Sequence, residues 1–167
     1  PLTFPEFRKT AFVRIPDSVS DQRSEADNPA RDRGMVEDLH QFLEKRDTNT
    51  PFFVFALFNS THAFYQYPPE FEKFTPVCDP TVNYMSDFSP ETIEGLRNRY
   101  KNGLYYIDSL FGAVIDDLHK HDAFENTIVI LTGDHGEEFR ENGYYSHNSA
   151  FDDYQVKTAF VARIPGE

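Results

Sequence analysis

Two apolar runs of strand length, Phe52–Phe58 and Thr127–Leu131, constrain this chain more than any other feature, because each ends in a polar turn that carries a histidine. Phe52-Phe53-Val54-Phe55-Ala56-Leu57-Phe58 shows no polar alternation, the pattern of a strand covered on both faces. Between the runs, Thr92–Lys120 carries Ile93, Leu96, Tyr100, Leu104, Ile107, Leu110, Phe111, Val114, Ile115 and Leu118 as an apolar face sustained over many turns, which predicts a long helix opened by Ser89-Pro90-Glu91. Met35–Lys45 carries Met35, Val36, Leu39, Phe42 and Leu43 at the same spacing and predicts a shorter helix. Helix, buried strand, long loop, long helix and buried strand is the order of an α/β domain with a mostly parallel sheet flanked by helices. In such sheets ligands bind beyond the carboxyl ends of the strands, where His62 and His135 both fall.

The remaining segments read more simply. Asp17–Arg33 is polar and predicts a loop, and Tyr65–Pro90 is a Pro- and aromatic-rich surface excursion. Ala11–Ile15 and the closing segment Lys157–Ile164 read as two similar short strands.

The chemistry concentrates in Thr132-Gly133-Asp134-His135-Gly136-Glu137-Glu138 and in Ser146-His147-Asn148. In a regular strand Asp134 and His135 would point to opposite faces; at a strand end followed by glycine the backbone can turn and let both grip one divalent cation. His147, twelve residues further on, can return to the same rim as a second ligand or as a donor to a bound anion. An imidazole at His62, assisted by Thr61, can hold a sulfate or phosphate oxygen or protonate a leaving alkoxide. Of the two glutamates, one is expected to orient His135 and the other to face solvent. His40, His119 and His121 lie in or just after amphipathic helices near acidic residues and read as surface groups, and Cys78 reads as an incidental thiol.

With 39% apolar residues, the 167-residue chain is globular in composition. Its net charge of −12 and its lack of a Lys/Arg cluster argue against a nucleic-acid partner. The chain contains no apolar run long enough for a membrane span.

The ordered series of motifs resembles the sulfatase branch of the alkaline-phosphatase superfamily. It runs from Phe52–Leu57 through Thr61-His62-Ala63-Phe64, the helix with Tyr100 and Ile107-Asp108-Ser109-Leu110-Phe111-Gly112, to Asn126–Glu137. The resemblance implies that Asp134 and His135 ligate a single divalent cation, with Ca²⁺ expected and Zn²⁺ or Mn²⁺ admitted by the imidazole. It further implies that His62 contacts the sulfate or phosphate of an ester substrate. In the related phosphoethanolamine and phosphoglycerol transferases, a histidine placed like His147 lies at the same anion.

The resemblance covers the middle and late part of a catalytic domain, so residues 1–167 are expected to be a partial domain whose nucleophile-bearing N-terminal part lies upstream. The spacing of the family's nucleophile motif recurs only as Asp27-Asn28-Pro29-Ala30-Arg31, with aspartate where the nucleophile belongs, and reads as coincidence. The expected activity of the parent is metal-dependent hydrolysis of a sulfate or phosphate ester outside the cytoplasm. The alternatives are a transferase with a membrane anchor upstream of Pro1 and a non-catalytic module on the same fold.

Overall fold

The computed structural model describes residues 10, 12–19, 25, 27–79, 81–82 and 88–166. Its frame is a pair of packed helices, α1 (Asn28–Lys45) and α2 (Pro90–Lys120). Helix α2 begins where the sequence predicts: the Ser89 side chain accepts from the Thr92 N–H, and Pro90 occupies the opening turn, where its missing N–H costs nothing. Helix α1 begins well before Met35. Asp27 caps it by accepting from the Ala30 N–H at 2.8 Å, and Pro29 sits in the first turn. The expected loop Asp17–Arg33 is therefore helical from Asn28 onward, and Asp27 serves as a helix cap.

The helices enclose three apolar clusters. Leu43 and Leu118 pack with Ala123 at one end, Val36 with Tyr106 and Leu110 in the middle, and Ile93 and Leu96 with Tyr65 and Phe139 at the other. The excursion after Tyr65, with a single 3-10 turn at Pro69–Phe71, lies along α2. It is held there by two asparagines: Asn102 is fully buried, accepts from the Lys73 and Phe74 N–H groups and donates to the Phe74 carbonyl, while Asn98 donates to the Pro76 carbonyl.

The strands are short. β1 (Val129–Thr132) pairs antiparallel with β4 (Phe160–Arg163), with Val129 opposite Arg163 and Thr132 opposite Phe160. β2 (Glu138–Phe139) and β3 (Tyr145–Ser146) form a second antiparallel pair, and the one-turn helix α3 (Asp153–Val156) precedes β4. The described strands thus form two antiparallel pairs and no parallel sheet. Phe52–Phe58 is unpaired, with Phe53 and Phe55 88% and 65% exposed, where the sequence predicts a strand buried on both faces. An apolar run specifies burial only where neighbours exist to cover it, and here only Phe52 and Phe58 reach the helical clusters. Phe12–Ile15 makes a turn instead of the expected strand, and Ala11 lies outside the described residues.

Where Phe52–Phe58 ends, α1 takes over the positioning of the next turn. Asp32, 1% exposed, accepts from the N–H groups of Asn59 (2.9 Å) and Ser60 (2.8 Å) and from the Ser60 hydroxyl (2.6 Å). Burial pushes the Asp32 carboxyl up, and the donors on Ser60 and Asn59 hold it partly back. Gly103 lets α2 approach the same turn: a Cβ there would stand 3.1 Å from the Ser60 carbonyl oxygen. The turn that carries His62 is therefore fixed from both helices.

Candidate metal and anion site

β1 delivers Gly133 and Asp134 to the open end of its strand pair. The Asp134 carboxylate is 79% exposed and accepts from the His135 N–H at 3.1 Å, so it faces outward with most of its lone pairs available. His135 Nδ1 lies 2.7 Å from the Gly136 carbonyl oxygen. A carbonyl can only accept, so Nδ1 is the donor in this contact, and Nε2 is the ring nitrogen turned toward Asp134. That nitrogen stands 3.7 Å from Asp134 Oδ1. Two ligands on one cation with bonds of about 2.0–2.2 Å lie roughly 3–3.5 Å apart, so the pair needs little adjustment to share an ion.

Gly136 makes this possible by close approach and not by an unusual backbone angle, since the glycines with positive φ are Gly143 and Gly166. Its N–H donates to the Gln155 carbonyl at 2.9 Å, and a Cβ there would collide with the Tyr154 carbonyl and come within 2.8 Å of that of Lys157. The Asp134–Gly136 turn is seated directly on α3.

His147 arrives from β3. Its ring stacks on that of His135, with centroids 3.6 Å apart and planes inclined by 23°. Ser146, just before it, adopts a φ of 73°, the left-handed region that non-glycine residues seldom enter. His147 Nδ1 is 3.4 Å from Glu137 Oε1, and the Glu137 side chain is 5% exposed. Burial pushes the Glu137 carboxyl up, opposed by His147, His135 and Ser146. A carboxylate behind one ring nitrogen fixes the imidazole and turns the other nitrogen outward.

Neither glutamate faces solvent, contrary to expectation. Glu138 is fully buried, and its carboxylate accepts from the N–H groups of Asn142 and Tyr144 and from Nε2 of Gln155. The Oε1 of Gln155 in turn accepts from the N–H groups of Ser149 and Ala150, beyond His147. Arg97 of α2 secures the other side by donating to the Phe139 carbonyl and to Glu141.

His62 shares the design of His135: its Nδ1 lies 2.9 Å from the carbonyl oxygen of the following residue, Ala63. Among the described residues it makes no hydrogen bond, ion pair or ring contact with Asp134, His135 or His147. Its turn is nonetheless joined to the β2–β3 hairpin. Tyr65, fully buried, packs on Phe139, and its hydroxyl is 3.0 Å from that of Tyr145, two residues before His147. The structure therefore brings Asp134, His135, Glu137 and His147 together and links His62 to them through a tyrosine pair.

A set of metal-capable side chains also occurs elsewhere, where the sequence suggested only surface groups: His40, Asp117 and His121, at the α1–α2 junction.

Residues 6–167 match the Sulfatase family model. The chain belongs to the sulfatase family, whose domain is an α/β fold. It is 42% identical over 83 residues to phosphoethanolamine transferase EptA of Escherichia coli K12, covering 49% of this chain and 14% of that protein. It is 30% identical over 122 residues to phosphatidylethanolamine transferase Mcr-2 of Escherichia coli, covering 72% of this chain and 22% of that protein. With human iduronate 2-sulfatase the identity is 25% over 169 residues, covering 81% of this chain and 30% of that protein. The chain thus spans less than a third of each of these relatives. None of its described helices is long and apolar enough to cross a membrane.

Proposed function

We propose that this chain forms part of the catalytic domain of a metal-dependent enzyme that cleaves sulfate or phosphate esters outside the cytoplasm. In this reading Asp134 and His135 hold the divalent cation, and His62 and His147 bind the ester's anionic group. The observation that carries it is the pairing of an outward Asp134 carboxylate with Nε2 of His135, 3.7 Å away, the ring being held from behind by its Nδ1 contact to the Gly136 carbonyl. A cation held there would supply Lewis-acid stabilisation of the negative charge on the ester oxygens. Calcium suits the carboxylate, while the imidazole nitrogen also suits zinc or manganese.

The chain's own residues account for the rest. Glu137 behind His147 orients that ring and lets its outer nitrogen exchange a proton with a substrate oxygen. His62, held by its Nδ1 contact to the Ala63 carbonyl, offers the same chemistry from the neighbouring turn. The reading includes the mostly parallel sheet of the fold, with Phe52–Phe58 as one of its strands. The apolar side chains that this segment exposes are those of a strand covered on both faces.

A second reading, phosphoethanolamine transfer from a lipid donor, is favoured by the position of His147 against His135 and by the similarity to EptA and Mcr-2. The intact protein, supplied in turn with Ca²⁺, Zn²⁺ and Mn²⁺, should be assayed on an aryl sulfate, a bis-aryl phosphate and a phosphatidylethanolamine donor. Turnover of the first two supports hydrolysis, and turnover of the lipid alone supports transfer. Bound metal with no turnover of any ester defeats both in favour of a non-catalytic module.

A further inference from the structure

The two long helices meet at a second cluster of ligating groups, separate from Asp134 and His135. His40 projects from α1, and Asp117 and His121 project from the last turn and the cap of α2. One ligand atom of each lies within 4.8 Å of the others. His40 Nδ1 is already 2.8 Å from Asp117 Oδ1, and the His40 and His121 rings meet edge-on with centroids 6.0 Å apart. We propose that His40, Asp117 and His121 form a separate binding site for a zinc-like divalent cation, bridging α1 and α2.

Three observations carry this. The first is an orphan: His121 Nε2 is buried and has no hydrogen-bond partner. A buried imidazole nitrogen in that state is costly to keep, and a cation satisfies it. The second is the support behind His40. Its other nitrogen, Nε2, faces Glu44 Oε1 at 3.4 Å, so a carboxylate stands behind the ring as it does behind metal-bound imidazoles. The third is position. Asp117 and His121 are spaced i,i+4 on one face of α2, at the end of the helix where unsatisfied carbonyls favour positive charge.

The donor set selects the ion. Two imidazoles and one carboxylate suit zinc, cobalt, nickel or copper and are poor in the oxygens that calcium or magnesium requires. Tetrahedral zinc places its ligands about 3.3 Å apart, so closing from 4.8 Å takes rotamer shifts of about 1.5 Å or less. Lys120, whose Nζ lies 3.9 Å from Glu44 Oε1, shares that glutamate with His40. The inference does not depend on the ester-cleaving reading, since none of these residues touches Asp134, His135 or His147 among the described contacts.

The test uses the intact protein, stripped with chelator, carrying Asp134→Asn and His135→Asn so that the other site is silent. Titration with Co²⁺ should show one bound equivalent with visible ligand-field absorption, displaced by Zn²⁺. Adding His121→Ala or His40→Ala should abolish that signal, and Glu44→Gln should weaken binding by about tenfold. Independently, Zn²⁺ should slow amide exchange in the unmutated helices over residues 36–45 and 113–121. An unchanged Co²⁺ affinity in the His40 and His121 variants overturns the proposal. So does a Zn²⁺ effect on exchange that leaves these two segments untouched, a measurement that stands even where a variant fails to fold.

Discussion

The imidazoles of His135 and His147 lie face to face with their centroids 3.6 Å apart, although they come from opposite sides of the β2–β3 hairpin. Under the proposed function one ring would hold the cation and the other would contact the anion, so they are expected to be separable by mutation. His135→Ala should abolish cation binding at Asp134. His147→Ala should leave the cation bound, with affinity reduced by about tenfold at most, while lowering turnover by about 10²–10⁴-fold. Calorimetric metal titration alongside steady-state assays checks this, and equal loss of both properties in both variants would contradict the division of labour.

Gly136 is where the site is least tolerant. Its Cβ in Gly136→Ala would strike the Tyr154 carbonyl, part of the backbone of α3, and backbone yields less readily than a side-chain tip. A loss of about 1–3 kcal/mol in urea unfolding is expected, together with weakened metal binding as the Asp134–His135 turn lifts away. A variant with wild-type midpoint and affinity would show that α3 can shift without consequence.

Asp32 secures the turn that carries His62. In Asp32→Ala the buried N–H of Ser60 and the half-buried N–H of Asn59 lose their acceptor, at a cost of about 1–3 kcal/mol for the buried donor left unsatisfied. Denaturant midpoints and amide exchange at residues 59–62 measure this. Exchange that speeds up across the whole chain, without being most pronounced at that turn, would argue against a local role.

Ser146 tests whether the left-handed backbone before His147 is strained. Ser146→Gly should be neutral or stabilising by up to about 1 kcal/mol, whereas the β-branched Ser146→Val should destabilise by about 1–2 kcal/mol. The reverse order, read from thermal unfolding, would remove the backbone argument.

Acid should loosen the support of α3. Donors from Asn142, Gln155 and Tyr154 hold the Asp152 carboxyl below the usual aspartate range. Because the folded value is the lower one, its stabilising effect is complete above the unfolded value, about 4, and is lost as pH falls through the folded value. Asp152→Asn should therefore flatten the acid limb of the stability profile and leave its slope near neutrality unchanged. An acid limb identical to the wild type would assign the effect to other carboxylates.

Local signals carried much of this architecture. Ser89-Pro90-Glu91 and the apolar face behind it mark α2, Thr127–Leu131 marks β1, and Asp134, His135 and His147 do gather at one place. The start of α1 was legible too, in Asp27-Asn28-Pro29, but the polar composition around it reads equally well as a loop. What sequence reasoning missed depends on partners far along the chain. Glu137 and Glu138 look alike in sequence, yet one meets His147 and the other Gln155. The His40–Asp117–His121 cluster joins residues on two helices, and no spacing rule spans that separation; only the i,i+4 interval from Asp117 to His121 was visible. Phe52–Phe58 shows the limit from the other side, since an apolar run states a preference for cover without saying what provides it.

Glu138 has a consequence for how the site meets its ligand. With its carboxylate bonded to Asn142, Tyr144 and Gln155, and Gln155 fastened to Ser149 and Ala150, the loop bearing His147 is moored on both flanks before any substrate arrives. Little freedom remains to be surrendered on association, so under the proposed function this loop would meet an incoming oxyanion as a rigid jaw and would not have to fold around it.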